Sequence, residues 1–248
     1  MITNKEEAEL ILDALCEEYG TRGIRDGPVP YVDGESAITE MKDDGFPGWK
    51  EVEWPGYHLK YLFQKVCQES LNGKVKPHNL GKRYLVKGDF LWDPRFNANE
   101  NNQVILGGVD EYNEILKTYE GIGIFVVETL CNYDFTDEFR EWHEDIKGGP
   151  SQYSKTRERE GRPIRKRKTQ YMIRKAKAYF FTPKDIQKGV TEGWIGDQFQ
   201  KSMRNADGSS RTSKYLLKLS AIPSDYLLTI KNFNEDAEEF AEDYPEYC

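Results

Sequence analysis

The sequence predicts an α/β protein in which a mixed β-sheet carries helices on both faces. Three observations lead there. Residues 121–130 (GIGIFVVETL) are the most apolar run of the chain, shorter than a membrane span and of the length of a buried strand. Around that run, segments of helical period alternate with segments of strand character: helices, a hairpin, then helix, strand, helix and strand. The 248 residues also include 15 Tyr, 12 Phe and 5 Trp, enough large side chains to build a core, which argues against wholesale disorder.

Taken in order, Thr3 followed by Glu6 is a capping box. Ala8, Ile11, Leu12, Leu15 and Tyr19 then recur at helical spacing until Gly20 stops the helix. Residues 21–49 are rich in Gly, Pro and Asp and read as a loop. A second helix is expected over 55–72. Pro55 suits its first turn, Leu59, Leu62, Phe63, Val66 and Cys67 form its apolar stripe, and Gly73 closes it. Residues 84–92 (YLVKGDFLW) read as a strand with Tyr84, Val86, Phe90 and Trp92 on one face. Leu85, Lys87, Asp89, Leu91 and Asp93 share the other. The polar run DPRFNANENN reads as a turn into a short strand over 103–106, which makes a hairpin.

A compact helix over 110–119 turns Tyr112, Ile115 and Leu116 inward and leads to the apolar strand. Next comes a short amphipathic helix with Phe139, Trp142 and Ile146 on one face, stopped at Gly148-Gly149-Pro150. A strand is expected over 178–182, a loop-rich stretch over 184–210 and a final strand over 214–219. Residues 235–246 hold seven acids and read as a solvated tail over 235–248. The simplest division is a single domain over 1–248 with its core within 50–230.

Several function classes are poorly supported. Cys16, Cys67, Cys131 and Cys248 are far apart and form no CxxC pair, so they outline neither a disulfide framework nor a zinc site. That fits a reduced, cytoplasmic setting. MITNKEEAEL has no basic and apolar leader pattern, and no run is long enough to span a membrane, so no membrane role is expected. His58, His78 and His143 are the whole histidine complement, too few for a His-based metal site or a Ser-His-Asp triad to be well supported. No phosphate-binding glycine motif is present.

Charge is more informative. Between Lys155 and Lys177 stand eleven Lys or Arg against two acids, Glu158 and Glu160. A local excess of nine in a chain of net charge −8 leaves −17 on the remainder. Such a block reads as a docking site for a polyanion, most simply nucleic acid. An acidic protein partner, the acidic tail, or a plain solvated loop are the other readings of the same residues. Arg165-Lys166-Arg167-Lys168 abuts Tyr171, Met172 and Ile173, which ties the charges to packed structure.

Carboxylates are abundant, and hard oxygen ligands suit Mg²⁺. Metal-assisted phosphodiester hydrolysis needs acids converging on one ion and a cation near the developing negative charge. Lys87, Asp89, Asp93 and Arg95 are of the required types. On a straight strand Asp89 and Asp93 would stand roughly 13 Å apart, too far to share an ion. Either the strand bends near Pro94, or one acid is a ligand and Glu53 or Glu128 completes the site. The bland alternative is that these charges only flank a strand end and a turn.

EWPGYHLKYL, DFLWDPRF and REWHEDIKGGPSQY, with GRPIRKRKT downstream, resemble a group of type II restriction endonucleases of the PD-(D/E)xK superfamily. In that group an EWxG-type helix, a strand carrying Asp-x-Lys, and a WHxxLKGG segment leading into a basic RxRK run come in this order. The resemblance covers roughly residues 50–180. It implies a mixed sheet flanked by helices in a restriction-endonuclease-like fold, Mg²⁺-dependent cleavage of double-stranded DNA at a short site, and a homodimer. Asp93, or Asp89, would bind the metal with help from Glu53, and Lys87 or Arg95 would stabilise the transition-state charge. Lys147, Arg162, Arg165, Lys166, Arg167 and Lys168 would hold the DNA backbone. The chain departs from the pattern in having Asp93-Pro94-Arg95 where Asp-x-Lys is expected, and Arg stays protonated, so it cannot act as a base. Asp145-Ile146-Lys147 also spells D-x-K, on a polar helix. The alternative function is a non-catalytic nucleic-acid-binding protein of the same fold.

Overall fold

The computed structural model describes residues 3–22, 31–69, 76–77, 85–87, 90–98, 101–204 and 208–233. In chain order these form α1 (Asn4–Arg22), β1 (Val32–Asp33), α2 (Gly34–Asp43), a 3₁₀ turn (Pro47–Lys50), α3 (Trp54–Glu69), β2 (Lys76–Pro77), β3 (Leu85–Lys87), β4 (Phe90–Ala98) and β5 (Gln103–Gly108). There follow α4 (Val109–Thr118), β6 (Gly121–Tyr133), α5 (Glu138–Ile146), α6 (Gln152–Arg159), β7 (Lys168–Phe181), α7 (Pro183–Glu192), β8 (Ile195–Phe199), β9 (Lys214–Lys218) and β10 (Leu227–Asn232). The expected α/β architecture, a mixed sheet flanked by helices, is present. No helix among the described residues is long and apolar enough to cross a membrane.

The main sheet runs β1-β7-β6-β4-β3-β2, and β10 joins β7 on the same edge as β1. Only β4 and β6 are parallel; the other neighbours are antiparallel. Strand alternation gives the sheet two faces. One takes Trp92, Phe125, Val127, Ile173, Ala176 and Ala178, and is covered by α1, α2 and α3. The other takes Leu91, Ile122, Ile124, Val126, Tyr179 and Phe181. It is covered by α4, α7 and a small second sheet of order β5-β9-β8. Gly123 shapes the first face: a Cβ there would lie 2.0 Å from the Trp92 ring. Its absence lets the indole lie across β6 and stack on Phe125, with ring centroids 4.6 Å apart.

Strand β7 has a particular outer edge. Its start pairs with β1 at Gln170 and Tyr171, and its second half pairs with β10 from Lys175 to Tyr179. In the gap, the Ile173 N–H donates to the Tyr19 hydroxyl of α1 (2.9 Å), and the Phe233 N–H donates to the Arg174 carbonyl (2.9 Å).

The first helix is capped as expected, with Thr3 and Glu6 exchanging hydrogen bonds, but it continues past Gly20 to Arg22. The α3 stripe is buried as read. Four expectations are corrected. The loop over 21–49 contains α2, begun by the Asp33 cap on the Ser36 N–H (2.9 Å) and held by buried Ala37, Ile38 and Met41. The turn expected from Asp93 onward is instead β4, kept extended to Ala98 by parallel pairing with β6, from Phe90↔Gly121 to Ala98↔Thr129. The expected hairpin does not form, because β5 leaves for the second sheet and pairs with β9. The stretch 184–210 holds α7, with a Thr182–Asp185 capping box, and β8. The acidic tail and Asp89 lie outside the described residues.

Candidate functional site

Strand alternation sets Asp93, Arg95 and Asn97 of β4 on the second face of the sheet. Asp93 is fully buried, and its Oδ2 accepts from the Arg95 guanidinium, with Nε at 2.9 Å, and from the Tyr112 hydroxyl of α4. Arg95 Nη2 also donates to the Tyr112 oxygen at 3.3 Å. The other carboxylate oxygen, Oδ1, is buried and has no hydrogen-bond partner. A buried ion pair of this kind is strongly destabilising to break by removing one partner, about 3–5 kcal/mol. Its orphan oxygen is the one feature here that suits a cation. Mg²⁺ is commonly held by one or two carboxylates, with water and substrate phosphate oxygens completing its shell. Asp93 Oδ1 fits the role of one such ligand. A complete set is not assembled, since no three His, Cys, Asp or Glu side chains converge among the described residues.

Further along the same face, Glu128 of β6 is buried opposite Asn97 and is clasped by Lys177 at 2.6 Å and Lys175 at 3.3 Å. Lys175 and Lys177 are residues of this face that charge counting alone does not single out. Their signal was present, since Lys175-Ala176-Lys177-Ala178 alternates at the strand period and so sends both lysines to one face. Glu128 does not join Asp93 at one ion: Asp93 is in register with Ile124, four positions away, or roughly 13 Å of strand.

Glu53 is farther still, which corrects its expected role beside Asp93. It immediately precedes α3, which packs on the first face, and its carboxylate holds Lys168 Nζ at 2.6 Å and Arg165 Nη1 at 2.7 Å. The Trp54 indole N–H fixes the same place by donating to the Lys168 carbonyl (2.8 Å). Lys168 is in register with Tyr133, nine positions along β6 from Ile124, on the order of 30 Å of strand. Lys87 ends β3 in register with Phe90.

The basic run divides. Arg167 is 1% exposed, and its Nη2 meets Glu144 Oε1 at 3.2 Å while Nε and Nη1 have no partner. Burial pulls its pKa below the usual value, against the pull of Glu144. Lys168 is buried on Glu53. These two therefore point into the protein, which corrects their expected placement on a DNA-facing surface: β7 begins at Lys168, and the chain turns inward there. Arg162, Arg165 and Lys166 stay exposed, and each has an acid nearby: Glu160 at 3.4 Å, Glu53, and Asp137 at 3.4 Å. Lys147, at the end of α5, is half-buried, and desolvation lowers its pKa. His143 is structural: fully buried, it shares its Nε2 with the Trp49 carbonyl (2.8 Å), and burial lowers its pKa to about 4.

Two clusters thus emerge, a buried acid with a cation in the centre of the sheet and an exposed cationic surface over 155–166. No protein-family profile matches the chain, and no characterised protein is significantly similar to it.

Proposed function

We propose that the protein is a restriction-type endonuclease that binds double-stranded DNA and, with Mg²⁺, hydrolyses its phosphodiester bonds at a short site, acting as a homodimer. The observation that carries this reading is Asp93. A fully buried carboxylate with one oxygen unpartnered is costly unless something binds it, and it stands on a central strand of a mixed sheet, in the frame where the resembling endonucleases carry Asp-x-Lys. A bound Mg²⁺ would supply Lewis-acid stabilisation of the phosphoryl oxygens. Asp93 would offer it Oδ1. Arg95, permanently charged, would hold the other oxygen and stabilise negative charge nearby rather than accept a proton. The exposed cations over 155–166 would grip the backbone.

Incubation with a panel of plasmids, in Mg²⁺ and in EDTA, tests the reading. Discrete fragments in Mg²⁺ and intact plasmid in EDTA are expected. Undiminished cutting in chelator, or no cutting of any plasmid with any divalent metal, would overturn it. A second reading, DNA binding without cleavage, is favoured by one observation: the Arg95 guanidinium occupies Asp93 Oδ2, and no lysine is paired with it in the described residues. Plasmid retardation without cutting would select it.

A further inference from the structure

We infer that α6 is the element that enters the DNA major groove, with Gln152, Lys155 and Arg159 as its contact stripe and Glu144 as its anchor; this rests on the DNA-binding reading above. The observation is a helix with no apolar reason to exist. Eight residues long, α6 buries a single side chain, Ser154. Isolated helices this short are marginal in water, and ordinary surface helices are fixed by an apolar stripe. This one is fixed at its ends instead. Ser151 caps the start, its Oγ accepting from the Ser154 N–H at 3.1 Å. At the other end Gly161, with φ +63°, closes a Schellman motif: the Arg162 N–H donates to the Arg157 carbonyl (2.8 Å) and the Gly161 N–H to that of Glu158 (3.0 Å).

The middle is pinned by one polar contact. The Ser154 hydroxyl donates to Glu144 Oε1 at 2.7 Å, the oxygen that also takes Arg167. Glu144 therefore ties α6 to α5 and to the chain just before β7. It is a positioning residue.

What α6 presents is cationic. Residues 152, 155 and 159 are spaced i, i+3, i+7, a single stripe pointing away from Ser154. All three are exposed. Lys155 and Arg159 stand four apart with like charge, a pairing that is mildly destabilising by itself. Neither has an ion-pair partner among the described residues. Beside the stripe, Tyr153 is 49% exposed with the Arg157 guanidinium 5.7 Å over its ring, a flat surface with a cation on top. Glu158 and Glu160 are the acids of this surface, and Glu160 is engaged by Arg162. Chemistry and dimension both point to a duplex: a helix with its side chains is about 10–12 Å across, the major groove is roughly 12 Å wide and admits it, and Gln, Lys and Arg are the side chains that read purine edges there.

The test is a binding titration of a fluorescent random-sequence duplex at several salt concentrations. It compares wild type, Lys155→Ala/Arg159→Ala, Arg165→Ala/Lys166→Ala and the α7 control Lys184→Ala/Lys188→Ala. On this random-sequence duplex, where Lys155 and Arg159 meet phosphates rather than a cognate base edge, loss of the two cations should flatten the slope of log affinity against log salt by about 1.8 and weaken binding roughly 60-fold at 0.1 M salt. The α7 control should change neither. Selection from a randomised duplex pool by wild type and by Gln152→Ala should give different preferred sequences, and identical preferences would overturn the place of Gln152 in the contact stripe. A wild type that binds no duplex would sink the DNA reading itself. Wild-type binding that is unaltered by Lys155→Ala/Arg159→Ala, but weakened by Arg165→Ala/Lys166→Ala, would overturn only the assignment of α6.

Discussion

Removing Glu144 should be the most damaging single change to the basic region, although Glu144 carries the opposite charge. Its Oε1 receives Arg167 at 3.2 Å and Ser154 at 2.7 Å. Arg167 already has two buried nitrogens without partners, so Glu144→Ala would leave its whole guanidinium uncompensated. Breaking a buried pair from one side costs about 3–5 kcal/mol. For a chain of this size, 1 kcal/mol corresponds to roughly 2–4 °C, so Tm should fall by about 6–20 °C. Taking out the pair together, Glu144→Leu with Arg167→Met, should cost clearly less than Glu144→Ala alone, because no orphan charge remains. The assay is urea unfolding followed by tryptophan fluorescence, comparing midpoints at constant slope. A loss below about 1 kcal/mol for Glu144→Ala, the range of exposed ion pairs, would refute the reasoning.

Three further outcomes are expected. Asp93→Asn, which keeps the shape and the acceptor for Arg95, should abolish cutting while gel-shift affinity in Ca²⁺ persists; wild-type cutting by this variant would remove Asp93 from the site. Glu53→Gln should tighten non-specific DNA binding and steepen its salt slope by about one unit, since it releases exposed Arg165; an unchanged slope would mean that Arg165 does not meet phosphate. Acid should destabilise the fold through His143, whose folded pKa of about 4 lies below its ordinary 6.5. The unfolded chain then binds the proton first, so stability present above pH 6.5 drains away as pH falls towards 4, by about 3 kcal/mol in all. His143→Gln should flatten urea midpoints across that window; a profile identical to wild type would exclude His143 as the source.

Local signals were legible and distant ones were not. The Thr3–Glu6 cap, the α3 stripe and the apolar β6 run all announce themselves within a few residues, and all are found. The extension of β4 through Pro94 and Asn97 depends on pairing with β6 about thirty residues later, which composition cannot reveal. The same holds for the site. Counting charge located the basic block, but Arg167 and Lys168 differ from Arg165 and Lys166 in being buried, on Glu144 and on Glu53, and nothing in the run itself marks that difference. Glu53 reaches Lys168 across 115 residues. The period-two spacing of Lys175 and Lys177 was readable in advance, since it needs only the assumption that the segment is a strand.

The outer edge of β7 bears on how the protein is made. That edge is closed by β1 and the Tyr19 hydroxyl, both from the first part of the chain, and by β10, which follows β7. While a ribosome is still adding residues between Phe181 and Leu227, half of this long strand has no neighbour on that side. Contacts of such sequence separation form slowly, and an unpaired strand edge is a template for other chains. A nascent chain therefore passes through an interval of exposure that ends only when β10 arrives, and the yield of soluble protein should depend more on the speed of that last pairing than on the strength of the finished core.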